Sequence, residues 1–409
     1  MTSTPFCDAF GRCGACQQLD VPYEEQLALK QRQIEQLFPQ AARAQLIRPI
    51  LGMEDPFYYR NKVIAPYAPG SRRHRKGQRG SRGVVTGMYA SGSHRIIPTE
   101  GCLLENRSAK QVTLAIRQLM EKRKIPPYDE KTGRGFLRHG VVRAGRTGEL
   151  LVTLVTNGDE FPSSKAFCRE LVRLVPEVTT VIQNVNRRQT NVILGDEERV
   201  LYGPGFILDD LCGLRFRISS SSFYQVNAVQ AEVLYEEAVA LAQAGAQDTV
   251  IDAYCGTGTI GLVAAKRGAG QVIGVEAILS AVTDARQNAQ HNGVSQARFH
   301  CEDATVFLQQ LAADRQALSD RKAASEGKDP VQDDLIVLMD PPRAGSTPEF
   351  LRALGGLRPK RIVYISCDPS TQERDVAQLE EQGYALRAIQ PVDMFPHTDH
   401  IENIAVLEP

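Results

Sequence analysis

Val250-Ile251-Asp252-Ala253-Tyr254-Cys255-Gly256-Thr257-Gly258-Thr259 runs from an apolar strand through a glycine-rich turn into a helical pattern. A strand, a tight turn and a helix make the first half of a βα unit, and the residues that follow repeat it. The pattern predicts strands over 249–254, 271–276, 297–301, 334–340 and 361–367. Helices are expected over 259–267 and 279–292, with a short one over 305–312. Two further strands are expected near 385–393 and 401–407, and a helix over 230–243 leads into the series. Alternation of this kind specifies an α/β fold built on a mostly parallel, doubly wound sheet.

Open parallel sheets bind ligands at the carboxyl ends of their strands, and three such ends carry chemistry here. The turn after Tyr254 lets backbone approach a ligand closely. Glu276 closes the next strand about 20 residues on, the spacing at which an acid can take a ribose diol. A bare G-x-G is weak evidence, but with Glu276 and the further acid Asp303 it points to an adenosyl ligand. The third glycine of the dinucleotide pattern is missing, which favours S-adenosyl-L-methionine over NAD. Leu335-Ile336-Val337-Leu338-Met339 delivers Asp340-Pro341-Pro342-Arg343, and Arg361-Ile362-Val363-Tyr364-Ile365-Ser366 delivers Cys367-Asp368-Pro369. Cys367 is the candidate nucleophile, against the alternative of an inert core thiol. The three strand ends together describe a methyl-transfer site.

A chain of 409 residues exceeds what one core usually organises, and its 42% hydrophobic content is ample for two domains. The boundary is expected near 218/219, with an N-terminal and central α+β domain over 1–218 and the catalytic domain over 219–409. The first residues show neither a basic nor an apolar leader region, so a cytoplasmic protein is expected. Lys+Arg 48 against Asp+Glu 48 provides no global field for a polyanion, so any nucleic-acid affinity must come from local patches.

Nine cysteines in such a chain are not a secreted disulfide framework. Five residues separate Cys7 from Cys13 and two separate Cys13 from Cys16, with Cys102 after a long gap. Four thiolates suit tetrahedral zinc or a [4Fe-4S] cluster equally, and unrelated free thiols are the bland alternative. The triplet that radical enzymes use to cleave adenosylmethionine has a different spacing.

The rest of the first half is less legible. Leu27, Ile34, Leu37 and Phe38 fall at helical spacing, so a helix over 23–38 should pack against the cysteine lobe with its charges on a solvated face. Arg60-Asn61-Lys62-Val63 and the basic run over 72–82 suggest phosphate contacts, although the second equally suits a solvated loop. Alternation between 134 and 194 predicts an antiparallel sheet with a helix over 163–174. The polar stretch 313–333 reads as an inserted surface loop.

Ser222-Phe223-Tyr224-Gln225-Val226-Asn227, the turn after Asp252, Asp340-Pro341-Pro342-Arg343, Ser366-Cys367-Asp368-Pro369 and the run from Asp393 to Glu402 resemble, in order and spacing, the RNA uracil-C5 methyltransferases. The four cysteines extend the likeness to the iron-sulfur branch of that family. Many relatives carry a small N-terminal β-barrel RNA-binding domain ahead of the cluster; with Cys7 so near the first residue, none is expected here.

The resemblance implies a Rossmann-like class I methyltransferase domain with Cys367 as nucleophile and Glu402 as general base. It implies S-adenosyl-L-methionine contacts from Gln225, Tyr254, Thr259, Glu276, Asp303 and Asp340, and a [4Fe-4S] cluster on Cys7, Cys13, Cys16 and Cys102. The expected substrate is a uridine of 23S rRNA, with the T-loop of transfer RNA as the alternative, and the expected state is a monomer. His397 and His400 are either partners of Glu402 or structural, and Cys255 reads as a packing residue. Two readings compete: an amino-methyltransferase, which would need no covalent cysteine, and a non-catalytic RNA-binding iron-sulfur protein.

Overall fold

The computed structural model describes residues 7–70, 83–326 and 335–409, with 318–326 described as backbone. The basic run 72–82 and positions 327–333 of the expected insert lie outside the described residues. Two compact units emerge, the first from Met1–Pro22, Asp55–Asp210 and Phe216–Ala228, the second from Tyr23–Glu54, Leu211–Arg215 and Val229–Pro409. Instead of one boundary near 218/219, the chain therefore passes between units several times, and residues 23–54 belong with the C-terminal half.

In the first unit, β1 (Lys62–Pro69), β2 (Val84–Thr86), β5 (Leu137–Ala144), β6 (Leu150–Thr156), β7 (Val178–Val185) and β8 (Glu197–Tyr202) form a sheet in the order β2-β1-β5-β6-β7-β8. The short strands β3 (Met88–Tyr89) and β4 (Ile96–Ile97) pair separately. Helices Arg107–Arg123 and Ser164–Leu174 contribute Val112, Ile116, Phe167 and Leu171 to a core that includes Val142 and Val152. The expectation of an antiparallel sheet needs correcting at one place. β6 and β7 are parallel, because the helix between them is long enough to carry the chain back across the sheet.

A hairpin of β9 (Ile207–Leu211) and β10 (Leu214–Ile218) follows. The second unit holds β11 (Thr249–Ala253), β12 (Gln271–Glu276), β13 (Ala297–Cys301), β14 (Leu335–Met339), β15 (Arg361–Ser366), β16 (Ala385–Val392) and β17 (Glu402–Glu408). Their order is β13-β12-β11-β14-β15-β17-β16. From β11 the chain steps outward through β12 and β13, then returns to β14 on the other side, which puts the topological switch between β11 and β14. β11 to β15 are parallel, whereas β17 runs antiparallel to both β15 and β16.

The core of this unit includes Ile251, Val337, Phe350, Ile362 and Tyr364, all fully buried. Every residue of β14 is buried, as a strand covered on both faces requires. Burial of each such aliphatic or aromatic side chain stabilises the unit by about 1.5–3 kcal/mol.

Helix Tyr23–Leu37 does not join the cysteine lobe. Its Ile34, with Phe38 and Ala41 beyond it, enters the core of the second unit. Lys30 and Gln26 are buried rather than solvated. Residues 313–326 are not a loop either, because they continue helix Ala304–Glu326. The run is dominated by Ala, Leu, Gln, Arg and Lys and contains no glycine or proline before Gly327. Intrinsic propensity thus sustains the helix where apolar periodicity fades. None of the helices among the described residues is long and apolar enough to cross a membrane.

Candidate active site

The carboxyl end of the parallel strands is built first from the turn after β11. Tyr254 leaves the strand with φ 64°, and Gly256 and Gly258 follow with φ 53° and 78°. A Cβ on Gly258 would lie 2.7 Å from the Phe299 ring, so glycine is required there on two counts. At Gly256 an added Cβ would meet nothing within 4 Å, which leaves open space over the turn. The helix Thr259–Lys266 starts directly after it, with the Thr259 hydroxyl 3.2 Å from that of Thr257. Glu276, at the end of β12, accepts the Gly256 N–H at 3.1 Å and the Ile278 N–H at 2.9 Å. One carboxylate thereby fixes the turn and the start of the next connection together.

Asp303 caps the helix after β13, accepting the N–H groups of Thr305 and Val306 at 2.9 and 3.2 Å. The half-buried Tyr254 packs its ring against Phe350, with centroids 5.1 Å apart. Asp252, on β11 itself, is buried and accepts the Gly261 N–H at 2.7 Å. Burial pushes its carboxyl up to about 7, opposed by that hydrogen bond and reinforced by the charges of Asp340 and Glu276.

Across the switch, β14 ends at Asp340, whose carboxyl burial raises to about 7. β15 ends at Ser366, opposite Asn403 of β17, and Val392 of β16 stands opposite Glu402. The reversal of β17 matters here, because it brings the start of that strand, Glu402, to the same end of the sheet where Cys367 emerges. Burial raises the Cys367 thiol to about 11, the charges of Glu402 and Asp340 add to the shift, and Arg343 opposes it. Burial and then the charge of Asp340 hold Glu402 well above the usual carboxylate range. The thiol, both acids and Arg343 therefore share one electrostatic neighbourhood.

Ser366 and Asp368 brace the thiol's backbone. The Asp368 N–H donates to Ser366 Oγ at 3.1 Å, and Asp368 caps helix Pro369–Glu381. Gln372 donates to the Tyr364 and Asn403 carbonyls at 2.8 and 3.1 Å, tying β15 to β17 beneath the pair.

The second unit thus gathers Tyr254, Thr259, Glu276, Asp303, Asp340, Cys367 and Glu402. Gln225 falls in the first unit, where its carbonyl accepts from Asn61 Nδ2 at 3.0 Å. Cys255 is buried, as a packing residue should be, and burial raises its thiol. His397 is held by Gln26, through Nδ1 at 3.0 Å and through its own N–H at 2.9 Å. Asp252, Lys30 and Gln26 are given no role by the sequence, and Arg343 enters there only as part of the motif that follows Asp340. The available signal for Lys30 was its place on the same helical face as Leu27 and Ile34.

The cysteine lobe of the first unit has the donor chemistry of a thiolate site. Cys13 and Cys16 are buried, Cys7 and Cys102 half-buried. The Cys16 thiol is raised to about 12 by burial and then by the charges of Cys13, Cys102 and Cys7 in turn. As they stand, no group of three or more His, Cys, Asp or Glu among the described residues is arranged to hold a metal ion. Arg60 of the expected phosphate-binding stretch donates to the Ala15 carbonyl at 2.6 Å and so braces this lobe.

Residues 205–409 match the family model of the tRNA (uracil-5-)-methyltransferases. An uncharacterized RNA methyltransferase of Halalkalibacterium halodurans is 39% identical over 405 residues, covering 98% of this chain and 82% of that protein. One from Caldanaerobacter subterraneus is 37% identical over 99% of this chain and 84% of its own. Among solved structures, the Pyrococcus abyssi tRNA (uracil-54, C5)-methyltransferase in complex with S-adenosyl-L-homocysteine superposes with TM-score 0.75. It is 26% identical, over 97% of this chain and 86% of that one. With the switch-point turn, the Asp340 strand end and the Cys367–Glu402 pairing in place, the chain belongs to the RNA uracil-C5 methyltransferase family, enzymes that use S-adenosylmethionine.

Proposed function

We propose that Cys367 is the nucleophile and Glu402 the general base in methylation of one uridine of 23S rRNA at C5. The observation that carries this reading is the meeting of a thiol and a raised-pKa carboxyl at paired strand ends. Uracil C5 is a poor nucleophile until a thiolate adds at C6 and builds enolate character at C5. Cys367 supplies that thiolate, forming the S–C6 bond, and Arg343 acts in favour of the ionised sulfur. When bound, S-adenosylmethionine supplies an electrophilic methyl group on a sulfonium. After C5 has taken the methyl group, Glu402 removes the C5 proton, the S–C6 bond breaks and Cys367 is released.

Glu276 is assigned to the ribose hydroxyls, Tyr254 to packing on the cofactor, and Asp340 to its positively charged reactive end. Thr259 and Asp303 complete the contacts within the second unit. The open space above Gly256 and the close approach at Gly258 support this cradle. Burial and then the charge of Asp340 hold the Glu402 carboxyl above the usual carboxylate range, which makes it a stronger proton acceptor once ionised. The target uracil must leave its stack to reach Cys367.

Cys7, Cys13, Cys16 and Cys102 are assigned to a [4Fe-4S] cluster that staples their lobe. The influence of Cys13, Cys102 and Cys7 on the Cys16 thiol supports the donor set. A second reading, transfer RNA as substrate, is favoured by the likeness to the Pyrococcus abyssi enzyme. Mapping 5-methyluridine in the ribosomal and transfer RNA of a deletion strain decides between them. Loss of one 23S site is expected, whereas loss confined to transfer RNA would install the second reading.

A further inference from the structure

A cavity of about 400 Å³ opens in the first unit where β5 begins. Its walls come from three loops, represented by His94, Glu130 and Asn191, and Arg138 and His139 of β5 line it from within the sheet. The last two are only 2% and 4% exposed. Arg138 donates from one terminal nitrogen to the carbonyls of Asn186 and Arg188, at 2.8 and 2.7 Å, and its guanidinium lies 4.4 Å above the Tyr128 ring. Its Nε is buried and has no hydrogen-bond partner among the described residues. His139 Nε2 is 3.3 Å from the Tyr89 hydroxyl, while the buried Nδ1 has no partner among the described residues. Burial, with Arg138 and His94 nearby, pushes the imidazole down to about 4, so the ring is neutral at physiological pH.

Arg138 and His139 thus bring a guanidinium and a neutral imidazole to the wall of one cavity. Tyr89 and His94, which also line the cavity, add aromatic faces 5.5 Å apart and tilted by 57°. The nearby carboxylate, Glu130, reaches Arg138 only at 3.8 Å. A lone phosphate would not use the rings. A neutral hydrogen-bonding group, aromatic faces and a flanking cation together match an unstacked nucleobase with its sugar-phosphate. The volume also falls within the range of small-ligand pockets, about 300–1,000 Å³.

We infer that this cavity takes one unpaired nucleotide of the RNA substrate, other than the uracil that is methylated. The base stacks on Tyr89 or His94 and makes its hydrogen bonds to the polar rim of the cavity, represented by Ser93 and Asn191. The inference rests on the RNA methyltransferase reading above and adds a recognition site to it.

His94 and Asn191 are exposed, so His94→Ala and Asn191→Ala can be made without disturbing the core, with Tm as the check. The probe is total RNA from a strain lacking the enzyme, labelled with 4-thiouridine. Irradiation should attach nucleotides to peptides containing Tyr89–His94 or Thr190–Ile193, and each variant should bind this RNA about 5- to 100-fold more weakly, the size of one lost base contact. Crosslinks confined to other peptides would overturn the inference. So would variants that bind within twofold of wild type, whatever the crosslinks. Failure of the wild-type enzyme to methylate the same RNA would instead remove the underlying reading, and is scored separately.

Discussion

Lys30 Nζ lies 2.7 Å from Asp393 Oδ1, and the two side chains are 1% and 0% exposed. The same carboxylate accepts the Tyr23 hydroxyl at 2.8 Å, and Lys30 also donates to the Phe395 carbonyl. One N-terminal helix thus holds the segment between β16 and Glu402, with Gln26 gripping His397 four residues further on. Desolvation lowers the Lys30 pKa, and the ion pair with Asp393 partly restores it.

Lys30→Met should therefore leave a buried carboxylate uncompensated and cost about 3–5 kcal/mol of stability. The double change Lys30→Met, Asp393→Leu should recover most of it. Thermal unfolding of both variants measures this, and a single variant as stable as wild type would refute the clamp.

Glu402→Gln keeps the shape of the site and removes the base. Turnover should fall by about 10²- to 10⁴-fold, while a methylated protein-RNA adduct accumulates. Mass spectrometry of the stalled complex reads the outcome. Normal turnover would mean that another group takes the C5 proton.

Burial raises the Asp340 carboxyl from the ordinary carboxylate range to about 7, which favours its protonated form below that pH in the ligand-free enzyme. A sulfonium prefers the ionised form, so S-adenosylmethionine should bind more tightly as pH rises from about 6 to 8, by up to about tenfold per unit. Asp340→Asn should flatten that slope. Stability of the free enzyme should move the other way. Asp340 and Asp252 hold more protons folded than unfolded between their ordinary and raised pKa values, so the stability they contribute is lost as pH rises through about 7. Calorimetric titration and melting curves across that range test both signs.

Cys102→Ser should abolish iron binding and lower the melting temperature of the first unit. The broad visible absorbance of a cluster should vanish with it. An active, colourless wild-type protein with stoichiometric zinc would reassign the metal and leave the methyl-transfer chemistry standing.

The strand ends of the second unit were legible because apolar runs bounded by Tyr254-Cys255-Gly256, Asp340-Pro341 and Cys367-Asp368 can hardly be read otherwise. What escaped was long-range. Nothing local reveals that β17 reverses and sets Glu402 beside the end of β15, since register depends on partners far away in sequence. Lys30 was misjudged because a charged residue is ordinarily solvated, and its partner Asp393 lies 363 residues away. The helix to Glu326 was missed for a different reason: its outer part is sustained by propensity, not by an apolar face.

The central claim is the covalent role of Cys367, and incubation with 5-fluorouridine-substituted RNA and S-adenosylmethionine tests it most directly. Fluorine at C5 cannot leave as a proton, so Glu402 has nothing to remove and the S–C6 bond should persist. The account predicts a protein-RNA complex that survives denaturation, maps to the peptide containing Cys367, and is absent in Cys367→Ala. A wild-type enzyme that methylates RNA yet traps none of it, or a Cys367→Ala variant with full activity, would contradict the account.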